Sequence, residues 1–189
     1  EKATNDALLQ VQQALKDSDA SVRQEAWGSL GRLAKNLTGD ERRAIIADGQ
    51  RSLSKAIESG NVEEQVIARS ALATLGDSEQ RAGLRKLAES SDTDTRRAVA
   101  EHSKDDQELL RRLLRDREFS VRFAAAQRLA EAGEPQAAAV LREGLARGGS
   151  DGLTSYSLLR RLGQPATAPS DLGQRLAHGT QEERAQIVR

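Results

Sequence analysis

The chain has 189 residues and no formal net charge, because 29 Lys and Arg residues are balanced by 29 Asp and Glu residues. This balance removes any general electrostatic reason to bind nucleic acid or an anionic membrane. The chain contains no cysteine, which excludes disulfides, thiolate catalysis, zinc–thiolate sites and iron–sulfur ligation.

Helical periodicity predicts a hairpin of two helices at the start of the sequence. The apolar positions of the first helix are Leu8, Leu9, Val11 and Leu15. Ser21 caps the second helix, and Gln24 three residues later completes a capping box. The apolar face of this second helix consists of Val22, Ala26, Leu30 and Leu33.

Caps and turn residues predict the helices that follow. Asp40, Gly60-Asn61, Asp77, Asp94, Asp105 and Ser120 stand before their starts, so we expect helices at residues 41–59, 62–75, 78–90, 95–103, 107–115 and 121–132. Gly133 and Pro135 end one helix and open the next, at residues 136–147. A glycine-rich turn at 148–152 leads to a helix at 153–162.

The last part of the chain contains two prolines, Pro165 and Pro169, in a segment expected to be an irregular joint. After it, Thr180 and Glu183 form another capping box, so residues 171–189 are predicted to be a frayed terminal hairpin. Since the sequence starts at Glu1 and contains no Met, we expect a processed product or a piece of a longer protein.

One pattern occurs twice, at a spacing of tens of residues. Each copy has an Asp in the turn, Val-Arg entering the second helix, and Ala and Leu on the following turns. The residues are Asp17, Val22, Arg23, Ala26 and Leu30, then Asp116, Val121, Arg122, Ala125 and Leu129. Recurrence of a helical pattern is the mark of a stacked-repeat protein. The chain has only one Trp, one Tyr and two Phe, which suits a thin core buried between neighbouring repeats.

This pattern resembles the HEAT-repeat family, and residues 95–102 and 109–116 are similar to the leucine-rich repeat variant. The resemblance implies an all-α fold, a right-handed α-solenoid of about five stacked helical hairpins over residues 1–165. Residues 166–189 then form the Pro-containing joint and the terminal hairpin. Segments 60–75 and 151–162 fit the pattern only in degenerate form, the first because Glu64-Gln65 replaces Val-Arg. Some members of the variant family carry an iron–sulfur cluster, a property that cannot transfer to a chain without cysteine.

The recurring charges of the pattern have a structural explanation. An Asp at a helix N-terminus accepts backbone N–H bonds and suits the positive end of the helix dipole. An Arg on the flank of the second helix can bridge to the acidic turn of the next repeat. We therefore interpret Asp17, Arg23, Asp116 and Arg122 as residues that hold the repeats together rather than as catalytic groups.

A helical wheel at about 100° per residue separates the core face of each second helix from an outward stripe. In HEAT-like stacks the second helix lines the concave wall, so by resemblance this stripe is the floor of a groove. The predicted partner-binding residues on the stripe are Val66, Arg97, Phe123, Gln127, Leu153 and Arg160. The mixture of small, apolar and basic side chains favours a protein or peptide as the bound partner.

The aromatic residues carry their own expectations. Phe123 lies outside the core register, which is equally consistent with an anchor for a partner and with packing across a locally shortened repeat. Trp27 is expected to fill a gap between repeats. Phe119 is expected to form a hydrophobic staple, and Tyr156 to pack with its hydroxyl at the edge.

Catalytic and metal-binding patterns are absent from the sequence. His102 and His178 lie in different repeats, without a nucleophile motif or a second ligand at metal-binding spacing. Asp105 and Asp106 load a helix N-terminus. The turn at 148–152 lacks the preceding strand and the following Lys of a phosphate-binding loop. We expect no catalytic residue, no metal and no cofactor.

The sequence thus predicts a non-catalytic scaffold or adaptor that binds a protein or peptide along its concave face. The alternative is a HEAT-like enzyme or nucleic-acid-binding module. A DNA glycosylase is favoured by the local excess of arginines between residues 111 and 128 but disfavoured by the interspersed acids and the scarcity of aromatic residues. A chromophore lyase is the other member of this class, and nothing identifies a tetrapyrrole pocket.

The expected cellular location follows from two further properties of the sequence. There is no stretch of about 20 apolar residues and no signal peptide. We therefore expect a cytoplasmic protein without a membrane-spanning segment; the oligomeric state is not predicted.

Overall fold

The computed structural model describes residues 2–33, 37 and 39–167. Over these residues the chain forms ten α-helices and a short 3-10 turn, and contains no strand, so the predicted all-α class is confirmed for them. The helices are α1 (Lys2–Ala14), α2 (Ala20–Leu33), α3 (Gly39–Ser59), α4 (Val62–Thr74), α5 (Ser78–Leu87), α6 (Thr93–His102), α7 (Gln107–Leu113), α8 (Phe119–Glu131), α9 (Ala138–Arg147) and α10 (Gly149–Arg161). The predicted terminal hairpin at 171–189 lies outside the described residues.

The chain divides into two compact units, Glu1–Asp105 and Asp106–Arg189. This division falls inside the segment 1–165, which the sequence analysis treated as a single array of repeats. We refer to the two parts as unit 1 and unit 2.

Unit 1 consists of three helical hairpins, formed by α1 with α2, α3 with α4, and α5 with α6. The second helices of these hairpins contact one another in order, since α4 packs against both α2 and α6. Leu and Ala side chains make up most of the buried core of the first two hairpins. Each hairpin therefore hides its apolar face against its neighbour, as expected for stacked repeats.

The largest core side chain of unit 1 fits against a glycine. Trp27 of α2 is 1% exposed, and a Cβ atom added to Gly49 of α3 would lie 2.9 Å from its ring and 2.8 Å from Leu72 of α4. Only a residue without a side chain allows α3 to come this close. Trp27 thus fills the gap between the first and second hairpins, and this prediction is confirmed.

Unit 2 contains α7 packed against α8, followed by the 3-10 turn Pro135–Ala137, α9 and α10. Both α9 and α10 contact α8. Gly144 of α9 plays the same part here as Gly49 in unit 1, because an added Cβ would lie 2.7 Å from the Phe123 ring and would also clash with Ser155.

Several helices begin at positions different from those predicted. Asp19 rather than Ser21 accepts a backbone N–H at the start of α2, and Asp92 rather than Asp94 caps α6. Asp77 caps α5 as predicted. The predicted caps Ser21 and Asp94 lie within the first helical turn, because an Asp two residues earlier already accepts the N–H bonds of that turn.

The starts of α8 and α10 were also predicted too late. Glu118 occupies the N-cap position of α8, so Phe119 is its first helical residue and not a staple outside the helix. Gly148 precedes α10 with a φ of 71°, a conformation that glycine adopts without steric cost, and the helix follows at once.

One predicted core residue is exposed. Ala26 and Leu30 of α2 and Val121 of α8 are buried, as expected from the repeat pattern, but Val22 is 39% exposed. The prediction that Val22 belongs to the core is therefore wrong, because no described element covers this side of α2.

The two helical glycines of unit 1 that differ most in their surroundings give a matched test. Gly49→Ala should lower the free energy of unfolding by about 1–3 kcal/mol, since the new methyl group overpacks the contact with Trp27 and Leu72. Gly28→Ala should raise it by about 0.5–1 kcal/mol, because nothing lies within 4 Å of the added Cβ and alanine favours the helix.

The measurement is urea unfolding followed by the fluorescence of Trp27, the only tryptophan in the chain. Equal effects of the two substitutions would contradict the close packing of α3 on Trp27.

Candidate functional site

An arginine closes the turn before the second helix in three hairpins. Arg23, Arg96 and Arg122 each stand four residues after the N-cap position of their helix. In each case Nη1 donates to the backbone carbonyls five and six residues earlier. These acceptors are Ser18 and Asp17, Ser91 and Ser90, and Arg117 and Asp116, at 2.9–3.1 Å. The recurring Arg of the sequence pattern is therefore a clamp between the helix and its turn.

The clamp of the first hairpin also reaches the next one. Arg23 donates from Nε and Nη2 to both carboxylate oxygens of Glu64, at 2.5 and 2.9 Å. Both residues are buried, with Glu64 completely inaccessible. The hydrogen bond to Glu64 raises the pKa of Arg23 above its ordinary value, against the opposing effect of burial. The pair is thus a fully hydrogen-bonded ion pair between α2 and α4.

Unit 2 contains a more exposed version of the same bridge. Arg122 donates from Nη2 to the two carboxylate oxygens of Glu143 in α9, at 2.9 and 3.0 Å. The hydrogen bond from Arg122 holds the pKa of Glu143 below its ordinary value, with a smaller contribution from Arg147. The prediction that these arginines bridge to the next hairpin is confirmed for Arg23 and Arg122, although the acceptors are helical residues rather than turn residues.

Three of the predicted partner-binding residues do not face outward. Val66, Phe123 and Leu153 are 0%, 8% and 3% exposed, so the prediction that they form an outward stripe is wrong. Each stands five residues after the N-cap position of its helix. In α8 this position turns toward α9, whose Gly144 packs on Phe123.

Phe123 shows this most clearly. Its ring packs on Gly144 of α9 and stacks on Phe119 with the ring centroids 5.3 Å apart. The guanidinium of Arg147 lies over the other aromatic ring of this pair, 3.7 Å from the centroid of Phe119. Of the two readings left open by the sequence, the structure supports packing rather than an accessible anchor, because the ring is buried between α8 and α9.

The other predicted residues are at least partly accessible. Arg97 of unit 1 donates to Glu101 at 2.8 Å and to Asp94 at 3.3 Å, and the charge of Glu101 raises its pKa. In unit 2, Gln127 is half-buried and Arg160 is exposed. Arg160 donates to the hydroxyl of the half-buried Tyr156 at 3.4 Å, so that hydroxyl lies at the edge, as expected.

The accessible side of the second helices in unit 1 carries an acidic residue on each helix, which the sequence analysis did not identify. Glu25 of α2, Glu63 of α4 and Asp94 of α6 are exposed, with side-chain exposures of 82%, 63% and 83%. Glu101 and Arg97 of α6 lie beside them. We call these five residues the acidic wall.

Contacts between α4 and α6 hold this surface together. The Oγ of Ser70 donates to the backbone carbonyl of His102 at 2.6 Å, and Nε2 of His102 lies 3.8 Å from Oε1 of Glu63. The wall is therefore carried by helices in direct contact. In the sequence, the wall corresponds to one or two acids on the outward side of each second helix. A helical wheel that placed Val66 and Phe123 outward could not distinguish these acids from core positions.

No protein family model matches the chain, and none of the curated proteins is significantly similar to it. In the part of the chain that the structure describes, no group of three or more His, Asp or Glu side chains could hold a metal ion. None of the described helices is both long enough and apolar enough to cross a membrane.

Removal of the buried carboxylate tests the clamp. Glu64→Gln should lower the free energy of unfolding of unit 1 by about 3 kcal/mol or more, because Arg23 would stay buried without its counter-charge. Glu101→Gln, which removes the acid from the accessible pair with Arg97, should cost less than about 1 kcal/mol. Urea unfolding followed by Trp27 fluorescence measures both, and a small effect of Glu64→Gln would contradict the structural role of the pair.

Proposed function

We propose that this chain is a non-catalytic helical-repeat module that binds a protein or peptide partner on the second helices of unit 1. In this proposal the hairpins continue as a right-handed HEAT-like α-solenoid, and the acidic wall faces its concave side. The recurring arginine clamp and the ordered contacts of α2, α4 and α6 support a stack of repeats. Such stacks present extended surfaces to partners.

The observation that carries the proposal is the excess of carboxylates on this surface. Four acids stand on this surface with two arginines: Arg97 pairs with Asp94 and Glu101, and Nη2 of Arg32 lies 3.7 Å from Oε1 of Glu25. A segment rich in Lys and Arg would complement the wall. Individual exposed ion pairs contribute only about 0.2–1 kcal/mol, so affinity requires several contacts, whereas the combined field also accelerates association.

Helix stability does not explain all of these acids. Asp94 and Glu63 lie in the first turns of α6 and α4, where the positive end of the helix dipole favours a carboxylate. Glu25 lies beyond the first turn of α2, and Glu101 lies near the C-terminus of α6, where the dipole disfavours it. Each of these two acids also pairs with an arginine of its own helix, but exposed pairs contribute only about 0.2–1 kcal/mol, and in this proposal a binding role adds to their effect.

The same charges favour a protein over a nucleic acid. A surface with more carboxylates than cationic side chains repels phosphates, whose neutralisation by Lys and Arg provides most of the affinity in nucleic-acid complexes. The alternative of a nucleic-acid-binding module therefore finds no support on the second helices of unit 1.

Peptides selected from a random display library against the intact chain test this function. The selected sequences should be rich in Lys and Arg, and their affinity, measured by fluorescence anisotropy, should fall as salt concentration rises. Replacement of two wall residues, Glu63→Lys with Asp94→Lys, should weaken binding by about tenfold or more.

The matched control is Glu58→Lys with Glu79→Lys, which changes the net charge equally at exposed acids of α3 and α5. This variant should keep the affinity within about twofold. Selection of peptides without basic residues, or equal weakening by both variants, would contradict the assignment of the wall. Tight, salt-dependent binding of duplex DNA that the wall variant strengthens would favour the nucleic-acid alternative instead.

A further inference from the structure

The first hairpin differs from the next two at one equivalent position. The third residue after the N-cap position is Val22 in α2, Glu64 in α4 and Thr95 in α6. Glu64 and Thr95 are 0% and 6% exposed, whereas Val22 is 39% exposed. An apolar β-branched side chain thus stands in solvent at a position that is buried in both following repeats.

The contacts of unit 1 show what buries this position elsewhere. Glu64 is covered by Arg23, which reaches it from the preceding second helix. Likewise α6, which carries Thr95, packs on the preceding second helix α4. The third position therefore faces the previous hairpin, and in α2 that neighbour is the one element of the stack not supplied by the described residues.

A cleft opens on this side of the first hairpin, between α1 and α2. It is lined by small and apolar side chains from both helices, namely Ala7, Val11, Ala14, Val22, Ala26 and Leu33, and by polar ones that include Glu25 and Arg32. We call this surface the end face. It continues the interface by which α2 packs on α4 and α4 packs on α6.

We propose that the end face is the docking site of one further helical hairpin of the same repeat type, carried by the same polypeptide ahead of α1. Its second helix takes the position on α2 that α2 takes on α4. The cleft is lined by residues of α1 and α2 alone, which favours a tethered occupant, because a stable complex of separate proteins uses about 20–30 residues on each side. A covalent link provides the high effective concentration that a small interface requires.

The residue at the third position also defines the chemistry of the covering helix. Where α2 covers α4, Arg23 meets the acid Glu64. Val22 has no charge that could pair with such an arginine. The helix that covers α2 must therefore lack an arginine at the fourth position after its N-cap, where α2 itself has Arg23. Helix α4 has this property, because Gln65 stands there and donates to the backbone carbonyl of Ala56 in its own hairpin.

The hairpin α3–α4 is therefore the natural probe. A fusion that places a second copy of residues 39–77 directly ahead of Lys2 keeps Asp77 as the cap of the following helix, and it adds no tryptophan. We expect added helix content by circular dichroism, slower hydrogen exchange in α2, and a higher urea midpoint by Trp27 fluorescence. An added hairpin that leaves exchange in α2 unchanged would overturn the proposal.

A substitution at the end face, made in both the fused and the unfused protein, distinguishes docking of the added hairpin from a general effect of a longer chain. Val22→Asp should change the unfolding equilibrium constant of the unfused chain by less than about threefold, as is usual for exposed positions. In the fusion it should raise that constant by about tenfold or more, because the carboxylate would be buried without a partner. Leu9→Asp, at a 55% exposed position of α1 outside the cleft, should have the same effect in both proteins.

Equal effects of Val22→Asp in the fused and unfused chains would overturn the proposal. Sedimentation equilibrium of the unfused chain tests whether a second copy of the chain, rather than a further hairpin, covers the end face. A monomer unaffected by Val22→Asp is the expected result, whereas a dimer that Val22→Asp dissociates would show that a second copy covers this face.

Discussion

The buried ion pair of Arg23 and Glu64 is the contact on which the arrangement of unit 1 depends. Removing two charges from water costs several kcal/mol for each ion, and the cost is recovered only when the remaining hydrogen-bonding groups are satisfied. Here Nε and Nη2 of Arg23 bind the carboxylate, while Nη1 binds two turn carbonyls. One guanidinium therefore fixes the turn of its own hairpin and the position of the next second helix together.

The ion pair of Arg23 and Glu64 is important because the apolar core of unit 1 is thin. The buried side chains of unit 1 are mostly Leu and Ala, with a single Trp, so little apolar area is available to choose between alternative packings of neighbouring hairpins. Gly49 lets α3 approach Trp27 closely, which fixes the distance between elements but is less directional than a bidentate hydrogen bond. Packing supplies the driving force for stacking, and the clamp supplies its register.

The sequence predicts the helices and their pairing far better than it predicts the direction of individual side chains. Periodicity and caps located all ten helices, and errors at their starts were only a few residues, as for α2, where Asp19 rather than Ser21 accepts the first N–H bond. The binding stripe failed because a single-helix wheel distinguishes a core side from its opposite. It contains no information on neighbouring hairpins, such as that of α9, which packs on Phe123 through Gly144.

The position of a residue, counted from the N-cap of its helix, indicates the direction of its side chain, which the helical wheel does not give. In α4 the third residue, Glu64, faces the previous hairpin, and in α2 and α6 the fourth residue, Arg23 or Arg96, closes the turn. Only the remaining side is accessible, and Glu63 and Asp94 lie there. The acidic wall and the end face are thus neighbouring surfaces of one register: Glu63 and Asp94 lie on a side that stacking leaves accessible, and the end face, which Glu25 borders, is the side of α2 that corresponds to the covered side of α4.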